Sequence, residues 1–247
     1  LLIMSPIQQM LLGAGGAVAT KTYVDDVFST YVYAGNSTAR SINNGLDLSG
    51  EGGMVWIKSR DNAYDHYIVD TERGALNRIR SNSTGASGAA AETLTAFNNN
   101  GFALGADSIN LVVNASNKTY ASWSFRKSPM FDVVKWDGDG SGSTRQIAHG
   151  LKSIPGMILM KAYTHPSGVG STDWQIYHRG LNNGVNPEQY ALKFSTGAEG
   201  DRDWFGDTAP TATHFTIGSG QDRNGSGGKY VAYLFAGGES TAATARS

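Results

Sequence analysis

The stretch GMVWIK at residues 53–58 recurs as GMILMK at residues 156–161. Each copy is a glycine, a run of large apolar residues and a closing lysine. Runs of this kind, which are bounded by turn residues and too short for a stable helix, predict buried β-strands. The two copies start 103 residues apart (156 − 53). They are the first sign that the chain contains one structural unit twice.

Four further pairs of similar segments follow in the same order along the chain. Their offsets drift slowly, with the largest being 113 residues (215 − 102). This behaviour is typical of an internal duplication with small later insertions. It predicts two related units at residues 23–128 and 129–238, an N-terminal arm at 1–22 and a C-terminal tail at 239–247. The paired segments are 40–46 with 145–151, 73–74 with 179–180, 102–105 with 215–218, and 120–125 with 230–235.

In most of both units, short apolar runs alternate with glycine- and asparagine-rich turns. This pattern is typical of strands joined by tight connections. The segment YASWSF at residues 120–125 alternates in the way expected of a sheet with one face on a core. We expect a further strand at 109–113 and a short helical segment only at 86–91. The sequence predicts an all-β fold of two tandem β-sandwich units. It leaves open whether they are separate or share one pseudo-symmetric sandwich.

The composition argues against several classes of site and partner. The chain of 247 residues has no cysteine, which excludes disulfides and cysteine metal sites, and its net charge of −1 indicates no nucleic-acid partner. No apolar stretch reaches membrane-spanning length, and the start lacks the pattern of a signal peptide, so we expect neither membrane insertion nor export. The apolar, glycine-rich segment 1–22 is predicted to pack on another subunit. The glycosylation sequons at Asn36, Asn82, Asn114, Asn117 and Asn224 are interpreted as a result of the Asn/Ser/Thr-rich composition.

Asp70 and Glu72 are the candidate catalytic pair. Two residues apart in a predicted strand, they would share one face, as the acid and the base or nucleophile of a glycosidase require. The neighbouring Arg73 offers the alternative of a structural salt bridge, which we favour because the second unit has no carboxylate pair at the matching stretch.

Metal and cofactor sites are not expected. Residues 137–142, DGDGSG, begin like a calcium loop, but position 12 is Ala148 where such a loop needs a bidentate glutamate. The five histidines show no ligand spacing. An acidic hairpin turn is therefore the preferred interpretation of 137–142.

The tryptophans are the candidate recognition residues, because indole rings stack on sugars. Trp56 and Trp123 lie inside strand-like runs and are predicted to be core residues. Trp204 lies in the polar segment DRDWFGD, residues 201–207, and is predicted to be exposed for contact with a glycan or another subunit.

Six segments of the chain together carry a family resemblance: YVDDVFST (23–30), GGMVWIKSR (52–60), DTERG (70–74), NGF (100–102), YASW (120–123) and IPGM (154–157). The chain resembles, over residues 20–237, a family of tailed-phage virion proteins found in phages of marine bacteria and cyanobacteria, many of them tail fibre-like. The repeats are similar to concanavalin-like, laminin-G-type sandwiches, which implies a jelly-roll core and glycan binding. Laminarinase-type relatives of that fold carry Glu-X-Asp-X-X-Glu, where this chain has DTER at 70–73, so no catalytic residue is carried over.

Three functions remain as hypotheses. The first is a non-enzymatic virion structural protein, in an appendage, tail fibre or capsid surface, that assembles in the bacterial cytoplasm with copies of itself and other virion proteins. A trimer is expected by analogy with tail fibres. The second is a lectin-like module that recognises host surface glycan through Trp204. The third is a polysaccharide depolymerase that uses Asp70 and Glu72.

Overall fold

The computed structural model describes residues 22–109 and 112–237, so the predicted arm, apart from Thr22, and the predicted tail lie outside the described residues. Strands make up 42% of the described residues and helices 7%, which confirms the all-β prediction. Within the described ranges, no helix has the length and apolar character needed to cross a membrane. The first repeat contains β1 (Phe28–Ala34), β2 (Arg40–Asn43), β3 (Gly53–Ser59), β4 (Tyr67–Asp70), β5 (Asn77–Arg80), β6 (Gly88–Ala89), β7 (Leu94–Asn98), β8 (Gly101–Leu104) and β9 (Thr119–Arg126).

The second repeat repeats this plan with fewer strands. It contains β10 (Phe131–Asp137), β11 (Arg145–Ala148), β12 (Pro155–Thr164), β13 (Gln175–His178), β14 (Tyr190–Ala191), β15 (Gly200–Asp201), β16 (His214–Ile217) and β17 (Lys229–Ala236). One helix, α1 (Gln221–Asn224), precedes β17, and short 3₁₀ turns lie at Val24–Asp26, Leu181–Gly184 and Pro187–Gln189.

Each repeat has a large sheet and a small sheet. The first large sheet has the order β1-β9-β3-β4-β5-β6 and the second β10-β17-β12-β13. The small sheets are β2-β8-β7 and β11-β16, and β14 pairs with β15 in a separate ribbon. The order β1-β9-β3-β4 matches β10-β17-β12-β13 strand for strand, and the neighbours in each sheet are antiparallel. The duplicated sequence therefore folds into a duplicated topology.

Three apolar cores are stacked through the molecule. The first fills the space between the sheets of the first repeat, with Val55, Phe102 and Tyr120 at its centre. The second does the same in the second repeat, around Ile158 and Phe215. The third lies between the outer faces of the two large sheets. The chain thus forms two sandwiches rather than one shared sandwich, and their large sheets pack against each other.

The third core explains why the opening hexapeptides are apolar at nearly every position. A strand in a large sheet buries alternate residues in its own sandwich and the others against the other repeat. In β3, Val55 belongs to the first core and Met54 to the third. In β12, Ile158 belongs to the second core and Leu159 to the third. Both are fully or almost fully buried in each strand.

A buried tyrosine occupies the same place in the last large-sheet strand of each repeat. The Tyr120 ring stacks on Tyr33 with centroids 5.3 Å apart, and the Tyr230 ring stacks on Trp136 at 5.5 Å. The Tyr120 hydroxyl accepts the Ala115 N–H at 3.0 Å, and the Tyr230 hydroxyl accepts the Gly225 N–H at 2.8 Å. These tyrosines therefore hold the connection that leads into their own strand.

The same connection is held from the other side by a buried asparagine and a glycine. Asn114 and Asn224 are 0% and 1% exposed. These two sequon asparagines therefore have a structural role, which the interpretation of the sequons as a result of composition did not predict. The Asn114 amide donates to the carbonyls of Thr38 and Gly105, at 2.9 and 2.8 Å. A Cβ on Gly35 would lie 2.1 Å from the Ala115 carbonyl oxygen, and one on Gly138 would lie 2.1 Å from that of Gly225. Only glycine permits this approach.

Two local predictions were wrong. Residues 109–113 do not form a strand in the part that the structure describes. The Asp107 carboxylate accepts the N–H groups of Val112, Val113 and Asn114, which in a strand would bond to a neighbouring strand. In the second repeat the Gly220 carbonyl accepts the equivalent bonds and starts α1, which was not predicted. Residues 86–91 contain β6 instead of a helix.

We expect Asn114→Ala to lower the free energy of unfolding by about 1–3 kcal/mol, because it removes two donors and leaves a buried carbonyl unpaired. Urea denaturation followed by circular dichroism measures the change. Asn99→Ala is the matched control, since Asn99 is exposed and should change stability by less than about 0.5 kcal/mol. Equal losses in the two variants would contradict the structural role of Asn114.

Candidate functional site

The candidate catalytic residue Asp70 ends β4 and lies in the contact between the repeats. Its Oδ2 accepts hydrogen bonds from Arg73 Nε and from the Tyr233 hydroxyl, both at 2.6 Å, and its Oδ1 accepts the Arg73 N–H at 2.9 Å. Arg73 also donates to the Tyr233 hydroxyl at 3.2 Å, across the two repeats. The side chains of Asp70 and Arg73 are 0% and 1% exposed. The predicted structural salt bridge is confirmed.

Burial raises the pKa of Tyr233 well above its usual value, although the charge of Arg73 opposes the shift. Tyr233 therefore remains a proton donor to Asp70. The carboxylate of Asp70 is fully engaged and closed to solvent, so it cannot meet a substrate in this structure.

Glu72 does not share a strand face with Asp70, and that prediction was wrong. β4 ends at Asp70, and Glu72 lies in the following turn because the Asp70 carbonyl accepts the Gly74 N–H and closes it. Glu72 pairs with Lys127 at 3.0 Å, and Lys127 also contacts Asp132 at 3.2 Å. Burial disfavours the charge on Lys127, but its bond to Glu72 and the charge of Asp132 outweigh that effect and raise its pKa. These residues also join the two repeats.

We expect Arg73→Met to lower the free energy of unfolding by about 3–5 kcal/mol, because it leaves the buried Asp70 without its cation. Chemical denaturation at pH 7 measures the loss. Arg80→Met is the matched control: Arg80 pairs with Asp65 in an exposed bridge, which should contribute less than about 1 kcal/mol. A loss below 1 kcal/mol for Arg73→Met would show that the buried pair does not support the contact.

A second polar contact between the repeats is built around Lys161, which closes the GMILMK stretch. Lys161 is 1% exposed, and its ammonium donates to the Thr84 carbonyl of the first repeat at 2.9 Å. It also donates to the carbonyl of Thr172 and, at 3.0 Å, to its hydroxyl. Burial lowers the pKa of Lys161 to about 8, against the opposing charge of Asp173.

This shift predicts a pH dependence of stability. Between the folded pKa of about 8 and the usual value of 10.5, the unfolded chain binds more protons at Lys161 than the folded chain, so raising the pH stabilises the fold. We expect the free energy of unfolding to rise by about 2 kcal/mol from pH 8 to pH 10, relative to Lys161→Met. Urea denaturation at both pH values tests it. Parallel curves for the two proteins would contradict the shift.

The candidate recognition residue Trp204 is not exposed, and that prediction was wrong. Trp204 is 8% exposed and belongs to the second core. Its indole is surrounded by the cationic groups of Arg202, Lys193 and Arg223, which lie 5.0, 5.7 and 6.0 Å from the ring. Of the polar neighbours that suggested a surface loop, Arg202 covers the ring, together with Lys193 and Arg223 from outside residues 201–207. Ligand binding by Trp204 stays a prediction.

The candidate calcium turn at 137–142 holds itself together by internal bonds. Asp139 Oδ1 accepts the Ser141 N–H at 2.8 Å and the Asn224 amide at 2.7 Å. These bonds to hydrogen donors are the main cause of a lowered pKa at Asp139. No group of three or more His, Cys, Asp or Glu side chains with metal-binding geometry occurs in the residues that the structure describes.

A cleft of about 500 Å³ opens at the junction of the repeats, lined by Lys127, Asp132 and His149 among others. Burial lowers the pKa of His149. Its Nε2 lies 3.2 Å from the Thr211 carbonyl, and its Nδ1 accepts the Leu151 N–H at 3.3 Å. Both ring nitrogens are engaged, and Lys127 and Asp132 are paired to each other. These three side chains of the cleft are therefore already engaged with other groups of the protein.

A partly exposed aromatic surface lies on the outer face of the first large sheet, beside the contact with the second repeat. Thr30, Trp123 and Trp56 face each other across β1, β9 and β3. The next row is Val32, Ala121 and Lys58. We call these six residues the open face. Val32 is 58% exposed, and both indoles are only partly buried, which corrects the expectation that they are core residues.

The indole of Trp56 is held in place by its neighbours. Its Nε1 donates to His66 Nδ1 at 3.1 Å, and its ring lies edge-on to Trp123, with centroids 6.4 Å apart. Burial and the charge of Lys58 lower the pKa of His66, so His66 is neutral near pH 7 and accepts this bond. Phe194 of the second repeat, 39% exposed, lies 6.1 Å from Trp56. The open face thus presents two partly exposed indoles, and the neighbours of Trp56 hold its indole in place. Sequence reasoning missed it because apolar strand runs look alike whether or not a partner covers them.

Comparison with known proteins identifies the family of the chain but does not indicate an activity. The model of a domain of unknown function, DUF7483, matches residues 24–242, which includes both repeats. No curated protein and no solved structure matches the chain significantly.

Proposed function

The chain belongs to the DUF7483 family, and we propose that it is a non-enzymatic structural protein of a phage virion, in an appendage, a tail fibre or the capsid surface. The observation that carries the proposal is the fusion of the two sandwiches through a third apolar core. Such an interface suits a protein that must transmit force or hold a fixed shape, because a large apolar contact opposes relative motion of the units it joins.

The junction between the repeats supports this role. Only four residues, 127–130, separate β9 from β10. Lys127 in this connection pairs with Glu72 of the first repeat and Asp132 of the second. The buried Asp70–Arg73–Tyr233 group adds direct hydrogen bonds across the contact. A hinge between the two sandwiches would have to break all of these interactions together.

The virion setting rests on the resemblance of the sequence to tailed-phage proteins. It is tested by mass spectrometry of density-purified particles from a culture that carries the gene. We expect peptides of this chain at a level comparable to those of known structural proteins of the same particles. Recovery of the chain only from the particle-free lysate would overturn the proposal.

A second candidate function is glycan binding, and the open face is the observation that favours it. Aromatic side chains bind through their faces, and the polar groups of Thr30 and Lys58 beside Trp56 and Trp123 could orient a hydroxylated ligand. For this second candidate function we therefore propose the open face of the first repeat, instead of Trp204, as the glycan-binding surface.

We expect Trp123→Ala to reduce binding to an array of bacterial surface glycans at least tenfold, because it removes one of the two partly exposed indoles. Trp123→Phe keeps an aromatic face and should retain most of the signal. Thermal melting of both variants shows that the fold is intact. Equal signals for Trp123→Ala and the unchanged protein would remove the open face from consideration as a glycan site.

A further inference from the structure

The outer edge of β1 differs from an ordinary protected sheet edge. β1 has the sequence FSTYVYA and contains seven residues with no charge and no proline. It pairs with β9 without a bulge, and no other strand among the described residues pairs with it. Tyr31 and Val32 are 38% and 58% exposed. A long, regular, uncharged edge of this kind readily pairs with another strand.

The hydrogen bonds of β1 show which groups face outward. The Arg126 N–H bonds to the Val27 carbonyl and the Gly35 N–H bonds to the Lys118 carbonyl, so odd-numbered residues form the bonded pairs with β9. In an antiparallel pair the intervening residues direct their N–H and C=O groups away from the partner strand. Phe28, Thr30 and Val32 therefore direct these groups to the free edge.

The second repeat supplies an internal comparison. Its equivalent edge strand is β10, with the sequence FDVVKWD. Three of its seven positions are charged: Asp132, Lys135 and Asp137. Lys135 occupies the place of Val32, at the same offset that relates Tyr33 to Trp136. Charged residues on an edge strand, lysine above all, oppose pairing with another chain. Two of these charges also serve the contact between the repeats, since Asp132 pairs with Lys127 and Lys135 donates to the Glu72 carbonyl. β1 has no charged residue at the matching positions.

We propose that β1 pairs antiparallel with β1 of a second copy of this chain, so that the first large sheets of two molecules join into one continuous sheet. The proposal deepens the structural role proposed above, because it rests on that role and names the partner and the surface. It gives a two-fold pair instead of the trimer expected from tail fibres.

A second copy fits this edge because the strand is complementary to itself. With Tyr31 opposite Tyr31 at the two-fold axis, Thr30 of one copy faces Val32 of the other, and the outward N–H and C=O groups of these two residues are paired in both strands. Every cross-strand pair is then uncharged. A charged group reaches the edge at the end of β1, where Arg40 donates to the Ala34 carbonyl at 2.7 Å, and it leaves the central pairs open. The same pairing brings the open faces of the two copies side by side, since Thr30 and Val32 belong to both features.

The test is the molar mass of the full chain by light scattering over a range of concentrations. We expect a shift from 26.2 kDa to twice that value as the concentration rises. The double variant Thr30→Lys/Val32→Lys places lysine opposite lysine at both central pairs and should stay monomeric. The matched variant Thr30→Glu/Val32→Lys places glutamate opposite lysine at the same positions and should restore the pair. Both residues are exposed, so thermal melting should show an intact fold in each variant.

A full chain that stays at the mass of one copy would overturn the proposal, as would a pair that persists in the double-lysine variant. Loss of the pair in both variants would overturn the pairing of Thr30 with Val32. The structural role is judged separately by the composition of the particles. A chain that is monomeric in solution but abundant in particles would contradict the edge pairing and would still support the structural role.

Discussion

The structure depends on one contact, the packing of the outer faces of the two large sheets. The central strands β3 and β12 need cover on both faces of their sheets, because they are apolar at nearly every position. The small sheet covers one face and the other repeat covers the second. The buried Asp70–Arg73–Tyr233 group lies within this contact, where charge and hydroxyl are matched by short hydrogen bonds. Because unpaired buried charges are costly, this group tolerates few other arrangements and fixes how the repeats dock.

The two repeats keep the same internal framework and differ at their surfaces. The buried tyrosine, the buried asparagine and the close-packed glycine have the same roles in both copies. The differences lie where each repeat meets something outside itself. Trp56 of the first repeat corresponds to Leu159 of the second; Leu159 is buried in the third core, whereas Trp56 is only partly buried against it. The two copies therefore differ in how this outer-face position is covered.

Much of the fold could be predicted because strand periodicity and turn chemistry are local. The duplication and the all-β class followed from runs such as GMVWIK, and the Asp70–Arg73 bridge followed from sequence proximity. The docking of the two sandwiches could not be predicted. An apolar run indicates that a face is buried, but it does not indicate which part of the molecule packs against that face. The prediction that Trp204 is exposed was wrong for a related reason. Polar neighbours usually indicate a surface loop, but here arginine and lysine side chains pack over the ring. The open face was missed because Trp56 and Trp123 have strand neighbours typical of a core.

The buried asparagines have a consequence for how the protein can be made. Asn114 and Asn224 both stand in glycosylation sequons, and both are enclosed by the fold with their amides already bonded. An oligosaccharide on either amide could not be accommodated at these sites. A eukaryotic secretory route, where the sugar is attached to a chain still emerging, would thus trap the protein before its sandwiches close. Synthesis in a compartment without that modification leaves both asparagines free to take their places in the framework.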